Sequence, residues 1–167
     1  MVGETPFPFS KYKGKSIAYI ALTDYPFLAF IHDKIKIPSL RYEVSRVRKA
    51  LNSFTPVYNC MGNCGNLPTR FSFATDSMRH TWVIDDPYWF CTSDTCAHST
   101  GLDGPQLFLP IKYDSILKFA LGGIYRQSRK DMLAFHKVLN DISGFKGTPN
   151  EQSAQEFIDD LVRKTNA

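Results

Sequence analysis

The chain has 167 residues, 43% hydrophobic, 14% aromatic and 22% charged, which excludes extended disorder because enough apolar surface is present to offset chain entropy. No run of about 18 apolar residues occurs, which excludes a membrane-spanning helix. The first residues, MVGETPFPFSKYKGK, lack the apolar core of a secretory signal, so a soluble, intracellular, compact protein is expected.

The net charge of +4 is unevenly spread. Residues 1–50 carry nine Lys/Arg against four Asp/Glu, residues 51–110 two against five, and residues 111–167 nine against seven. Basic character therefore sits in the first third, where a polyanionic partner would be met. The middle third is mildly acidic.

In the first third, Tyr12, Lys13, Gly14, Lys15 and Ser16 form a basic turn, and Ser16 is placed to cap a helix through Ile17, Ile20 and Ala21. Asp24, Tyr25 and Pro26 open a second short helix. A third is predicted over about Pro38 to Leu51, since Leu40, Val44, Val47 and Leu51 recur on one face. Its outer face carries Arg41, Arg46, Arg48 and Lys49.

The stretch Pro8 to Ile17, continued by Ile20, Ala21 and the Asp24 to Ile31 segment, resembles the small C-terminal module of exodeoxyribonuclease X-like proteins. In that module a phenylalanine, a glycine and a lysine-tyrosine-lysine-glycine-lysine run precede a short helix. Here Ser10 stands at the glycine position. The resemblance covers about residues 8 to 35 and implies an accessory module that handles nucleic acid. It imports no catalysis: only seven residues precede the motif, and no exonuclease domain with its four metal-holding acids is expected. Lys11, Tyr12, Lys13 and Lys15, with Arg41, Arg46, Arg48 and Lys49, are the candidate nucleic-acid-binding residues, Tyr12 and Tyr42 being available to stack on a base. The alternative for these cations is a solvated surface.

Four cysteines, Cys60, Cys64, Cys91 and Cys96, fall within 37 residues. In a reducing compartment such a cluster is more often a metal site than two disulfides or free thiols. Zinc takes four thiolates at tetrahedral corners, and two pairs on tight turns joined by a hairpin supply them. Gly62 and Gly65 give the first turn its freedom. Phe71 and Phe73 alternate with polar residues, and Trp82, Val83 and Ile84 form a second β-prone run across an Asp76, Ser77 turn. The segment Trp89 to His98 resembles the second half of treble-clef or zinc-ribbon modules. His80 or His98 could replace one cysteine. Four thiolates close the coordination shell, which points to structural rather than catalytic metal. A deaminase-like centre also needs a glutamate, and none occurs between Glu43 and Glu151.

In the last third, Gly101 to Pro110 reads as a loop, and Asp114 or Ser115 opens a short helix through Leu121 that Gly122 and Gly123 stop. Ser128 with Asp131 makes a capping box for a helix burying Met132, Phe135, Leu139 and Ile142, with Gly144 at its end. His136 reads as a structural, partly buried residue. A final helix is predicted to open at Thr148, with Pro149 first and Glu151 closing its box. Phosphate loops, nucleophile elbows and catalytic dyads are missing, so no catalytic residue is assigned.

The expectation is an α+β protein: a basic helical module (1–54), a four-cysteine zinc module (55–104) and a C-terminal helical region (105–167). The function expected first is a non-enzymatic, zinc-containing accessory protein that binds DNA or RNA. A structural or protein-interaction subunit of a larger, possibly ribonucleoprotein, assembly is the second expectation, and a metal-dependent nuclease the third.

Overall fold

A computed structural model describes residues 1–76, 81–98, 108–121 and 128–166. The fold is α+β, with helices towards both ends and a small antiparallel sheet between them. Its contacts divide it into two compact units. The first comprises Met1–Phe54, Lys112–Asp114 and Phe145–Ala167, and the second Thr55–Ile111 and Ser115–Gly144. The last third of the chain is thus shared between the two units.

The first unit is helical. A 3-10 turn, Ser10–Tyr12, leads to α1 (Ile17–Thr23), α2 (Tyr25–His32) and α3 (Pro38–Leu51), and α7 (Glu151–Asn166) packs on α1 and α3. Ser16 caps α1 by accepting from the Tyr19 amide at 3.1 Å. Asp24 caps α2 through Phe27 at 3.2 Å. Both caps satisfy amides that have no partner inside the helix. Helix α3 buries Leu40, Val44, Val47 and Leu51 as its spacing predicts, and α7 buries Ala154, Ile158 and Leu161.

The start of α7 differs from expectation. Asn150 caps it, accepting from Ser153 N at 2.8 Å while Ser153 Oγ accepts from Asn150 N at 3.0 Å. Thr148 and Pro149 lie outside the helix. Glu151 is drawn elsewhere: its carboxylate accepts from Ser16 N (3.1 Å) and Oγ (2.5 Å).

The second unit is built on a hairpin. Strand β1 (Arg70–Asp76) lies between β2 (Thr81–Phe90) and the two-residue β3 (Leu109–Pro110), both antiparallel to it. The sequence showed no strand at β3, which lies at the end of the Gly101 to Pro110 loop. The register pairs Arg70 with Phe90 and Phe71 with Trp89, then shifts between Phe73 and Ala74 opposite Pro87. Proline lacks the N–H a regular ladder needs, so an irregularity there follows from its chemistry. Phe71 and Phe73 are buried against Phe135 of α6 (Arg129–Ile142), at ring separations of 5.1 and 5.3 Å.

Helix α6 carries the expected Ser128–Asp131 capping box and ends at Ile142, with Gly144, whose φ is +93°, just past the Ser143 cap. His136 is buried on it. Helices α4 (Asp94–His98) and α5 (Ser115–Leu121) complete the unit. The expected Ser77 turn, the stop at Gly122 and Gly123, most of the 101–110 loop, and His80 lie outside the described residues.

Candidate metal centre

The hairpin brings the cysteines together. Cys60 and Cys64 lie on the loop entering β1, Cys91 follows the last residue of β2, and Cys96 is on α4. The loop is stitched to β2 by Met61 N donating to Trp89 O at 3.1 Å, with Trp89 N reaching Met61 Sδ at 3.4 Å. Inside the loop, Cys60 N donates to Asn66 O (2.9 Å), and Asn63 N to Cys60 O (3.2 Å) at a left-handed Asn63. The sulfurs accept in turn: Cys60 Sγ from the amides of Gly62 (3.4 Å) and Cys91 (3.3 Å), and Cys64 Sγ from Asn66 Nδ2 (3.3 Å). Donors aimed at sulfur favour thiolate over thiol.

All four sulfurs lie within 4.8 Å of one another. Cys64 and Cys91 are 3.7 Å apart, and Cys91 and Cys96 3.6 Å. A tetrahedral ion with metal–sulfur bonds near 2.3 Å separates its sulfurs by about 3.8 Å, whereas a disulfide holds them at about 2.05 Å. The four thiols are free, and their spacing fits one ion of zinc size. This cluster could hold a metal ion. His98 is exposed at the end of α4 and lies outside the four-sulfur group.

The surroundings are apolar on one side and wet on the other. Cys60, Cys91 and Cys96 are buried with Phe90 and Ala97, with Tyr88 and Phe108 packed against them, while Cys64 is exposed. The Asn66 backbone amide, aided by the other thiols and opposed by burial, lowers the Cys64 pKa to about 7. Hydrogen bonds with Cys64 and Cys91, then burial, push Cys96 up to about 12. One thiolate forms readily, and each further negative charge in the cluster meets the first. A cation removes that penalty, which is why metal binding and deprotonation are coupled in such sites.

Two residues position the centre. A Cβ on Gly62 would lie 2.5 Å from Cys96 Cβ and 2.7 Å from its sulfur, so glycine is needed there for space, a reason the sequence did not disclose. Arg70 donates to Cys91 O (2.9 Å), Ser93 O (3.1 Å) and Asp94 Oδ1 (2.9 Å), with its guanidinium 4.6 Å over the Phe108 ring. Sequence reasoning missed Arg70. Its signal was register: an arginine at the start of a hairpin strand, opposite the residue before Cys91.

The candidate nucleic-acid residues all lie in the first unit and meet different fates. Lys11 pairs with Asp24 at 2.9 Å, and the Tyr12 hydroxyl donates to the same carboxylate at 2.6 Å. The hydrogen bond that Lys11 donates to Asp24, with its interaction with the Tyr12 hydroxyl oxygen, raises the Lys11 pKa. Burial raises that of Asp24, but hydrogen bonds from Tyr12, Lys11 and Phe27 N outweigh it and leave Asp24 below the usual range. The Tyr12 ring packs on Phe27 at 4.9 Å. Lys15 pairs with Glu151 at 3.4 Å, and Arg41 approaches Asp33 at 3.9 Å.

Arg48 is held within the fold. It donates to Asp114 (3.1 Å) and Tyr25 Oη (3.5 Å), while the buried Tyr25 donates to Asp114 and accepts from Asn52 Nδ2 at 2.8 Å. Lys13, Arg46 and Lys49 have no carboxylate within ion-pair distance among the described residues. Tyr42 is 67% exposed.

The chain matches no family model, no curated protein and no solved structure. Among the described residues, no helix is long and apolar enough to cross a membrane.

Proposed function

We propose that the four cysteines bind zinc as a structural ion, and that the protein is a non-enzymatic accessory protein that binds DNA or RNA through its first unit. The four-sulfur cluster carries the zinc assignment: its spacing matches thiolate–zinc geometry, and four protein donors leave no position for a reacting water. The centre would then contribute its binding free energy to folding of the hairpin unit, in a compartment reducing enough to keep the thiols free.

Nucleic-acid binding is supported by Lys13, Arg46 and Lys49, which no carboxylate among the described residues pairs with, and by the exposed Tyr42 on the same helix as two of them. Lys11, Lys15 and Arg48 serve first as internal partners. Ser10 adopts φ +66°, a conformation open at low cost to the glycine found at this position in exodeoxyribonuclease X-like modules. That agrees with the resemblance in the 8–35 segment.

Metal analysis of protein purified without added metal should return about one zinc per chain, and less than half an equivalent contradicts a structural site. Oligonucleotide affinity should fall steeply between low and moderate salt, whereas a flat response contradicts phosphate-driven binding. Cleavage that appears with Mg²⁺ or Mn²⁺ and survives stringent purification overturns the non-enzymatic assignment. A second reading, a protein-interaction subunit, is favoured by Val57, Met61 and Leu67, exposed apolar residues on and beside the first cysteine loop.

A further inference from the structure

Helices α3 and α7 of the first unit enclose an open groove of about 520 Å³, within the range of sites that hold a nucleotide-sized ligand. Its α3 wall is the stripe Tyr42, Ser45, Arg46 and Lys49, at spacings that share one helix face. Ala50 and Val162 supply apolar lining, and Thr165 lies on the α7 side. Among the described residues, no carboxylate lines it. The Ser45 and Thr165 hydroxyls donate to their own helices, to Arg41 O at 3.0 Å and Leu161 O at 2.7 Å. The charged donors left for a ligand are the two cations, Arg46 and Lys49, beside the Tyr42 hydroxyl.

The groove therefore selects an anion, and the Tyr42 ring refines the choice. Arg46 lies 5.9 Å from the ring centroid, and most of the Tyr42 surface remains open. A cationic pair beside an open aromatic face and an apolar lining matches a phosphate carrying a flat base better than a bare acid. We propose that this groove receives one unpaired nucleotide of a single strand, its base stacked on Tyr42 and its phosphates held by Arg46 and Lys49. Duplex bases are already stacked inside their helix and cannot reach the ring without being splayed out. This rests on the nucleic-acid reading above, and makes it specific to single strands and to one groove.

The test is fluorescence anisotropy with the whole protein and labelled 15-nucleotide oligothymidylate and oligouridylate, beside a 15-base-pair duplex, thymidine monophosphate and a polyglutamate competitor. Tyr42→Ala should weaken single-strand binding about tenfold, as loss of one stacked base does, and Tyr42→Phe should restore it. The double variant Arg46→Ala/Lys49→Ala should lower the salt slope by roughly 1.4, about 0.7 per phosphate contact on a single strand. Circular dichroism checks that each variant folds, and exposed Tyr42 makes unfolding an unexpected result.

Binding of neither strand form removes the nucleic-acid reading and this inference together. Single-strand binding that both sets of variants leave unchanged removes only the groove. Equal affinity for duplex, or displacement by polyglutamate as effective as by oligonucleotide, overturns the nucleotide assignment. Monophosphate binding as tight as the 15-mer's would assign the groove to a free nucleotide and overturn the strand.

Discussion

Gly62 and Gly65 flank Cys64 and look equivalent in sequence, yet they fail differently. An added methyl at Gly62 meets the Cβ, Sγ and Cα of Cys96 at 2.5 to 2.8 Å, and those atoms cannot retreat without moving a sulfur of the cluster. At Gly65 the same methyl enters open space, and only the left-handed backbone, φ +75°, resists it. Gly62→Ala should cost about 1–3 kcal/mol by overpacking and lower metal affinity with it. Gly65→Ala should cost about 1 kcal/mol through backbone strain and leave metal affinity nearly unchanged. Thermal melting with metal titration against a chromophoric chelator separates the two, and similar losses of affinity would show that the contact with Cys96 is unimportant. Ser10 is the converse case, a side chain at φ +66°, and Ser10→Gly should raise the melting temperature slightly.

At the scale of elements, short-range chemistry decides where each begins, and its legibility depends on what competes for it. Ser16, Asp24 and the Ser128–Asp131 box cap the helices expected of them, because each partner lies within three residues. The start of α7 lies past the Thr148 that its sequence suggests, because Asn150 supplies the cap and Glu151, the expected box partner, is recruited by Ser16, 135 residues away in sequence. Asn150→Ala should therefore cost about 1 kcal/mol of stability, and Thr148→Ala should cost almost nothing, as chemical denaturation can show. The four cysteines were legible because metal-ligand chemistry is written in residue type and spacing. Arg70 was not, since its role depends on the hairpin register that sets it beside Cys91. Arg70→Ala removes hydrogen bonds to two carbonyls of the 91–94 loop, and metal release to a competing chelator should quicken, with a stability loss of about 1–2 kcal/mol. Arg70→Lys cannot span the same three acceptors and should rescue little. Equal release rates in wild type and Arg70→Ala would remove Arg70 from the centre. The basic residues were least legible, because an unpaired lysine and a paired one look alike until the partner, such as Asp24 for Lys11, is folded against it.

For the molecule as a whole, the two units carry different chemistries, a cysteine cluster in the second and ionisable networks in the first, and each has its own solution variable. Both tryptophans, Trp82 and Trp89, belong to the second unit, and Trp89 stacks on Tyr58 at 5.1 Å beside the cysteine loop. Tryptophan fluorescence thus reports that unit, and a strong chelator should red-shift it while zinc restores it, if metal is part of its fold. The first unit, besides its apolar core, carries hydroxyl and carboxylate networks on which pH acts. The Asp24 carboxyl lies below its usual range, so its contribution is complete above the unfolded carboxylate pKa and is lost as pH falls through the lower folded value. Tyr25 acts in the opposite direction. Burial, then the hydrogen bond to Asp114, raises its pKa well above the ordinary value. The unfolded chain would ionise this phenol from about pH 10 while the folded chain keeps it neutral, so stability should decline as pH rises past that point. Tyr25→Phe should remove that alkaline decline, and should cost about 1–3 kcal/mol at neutral pH because Asp114, Arg48 and Asn52 lose a buried partner. Urea melts followed by far-ultraviolet circular dichroism at pH 7 and 10.5 would measure both effects. An alkaline decline of the same size in Tyr25→Phe would mean that another group governs it.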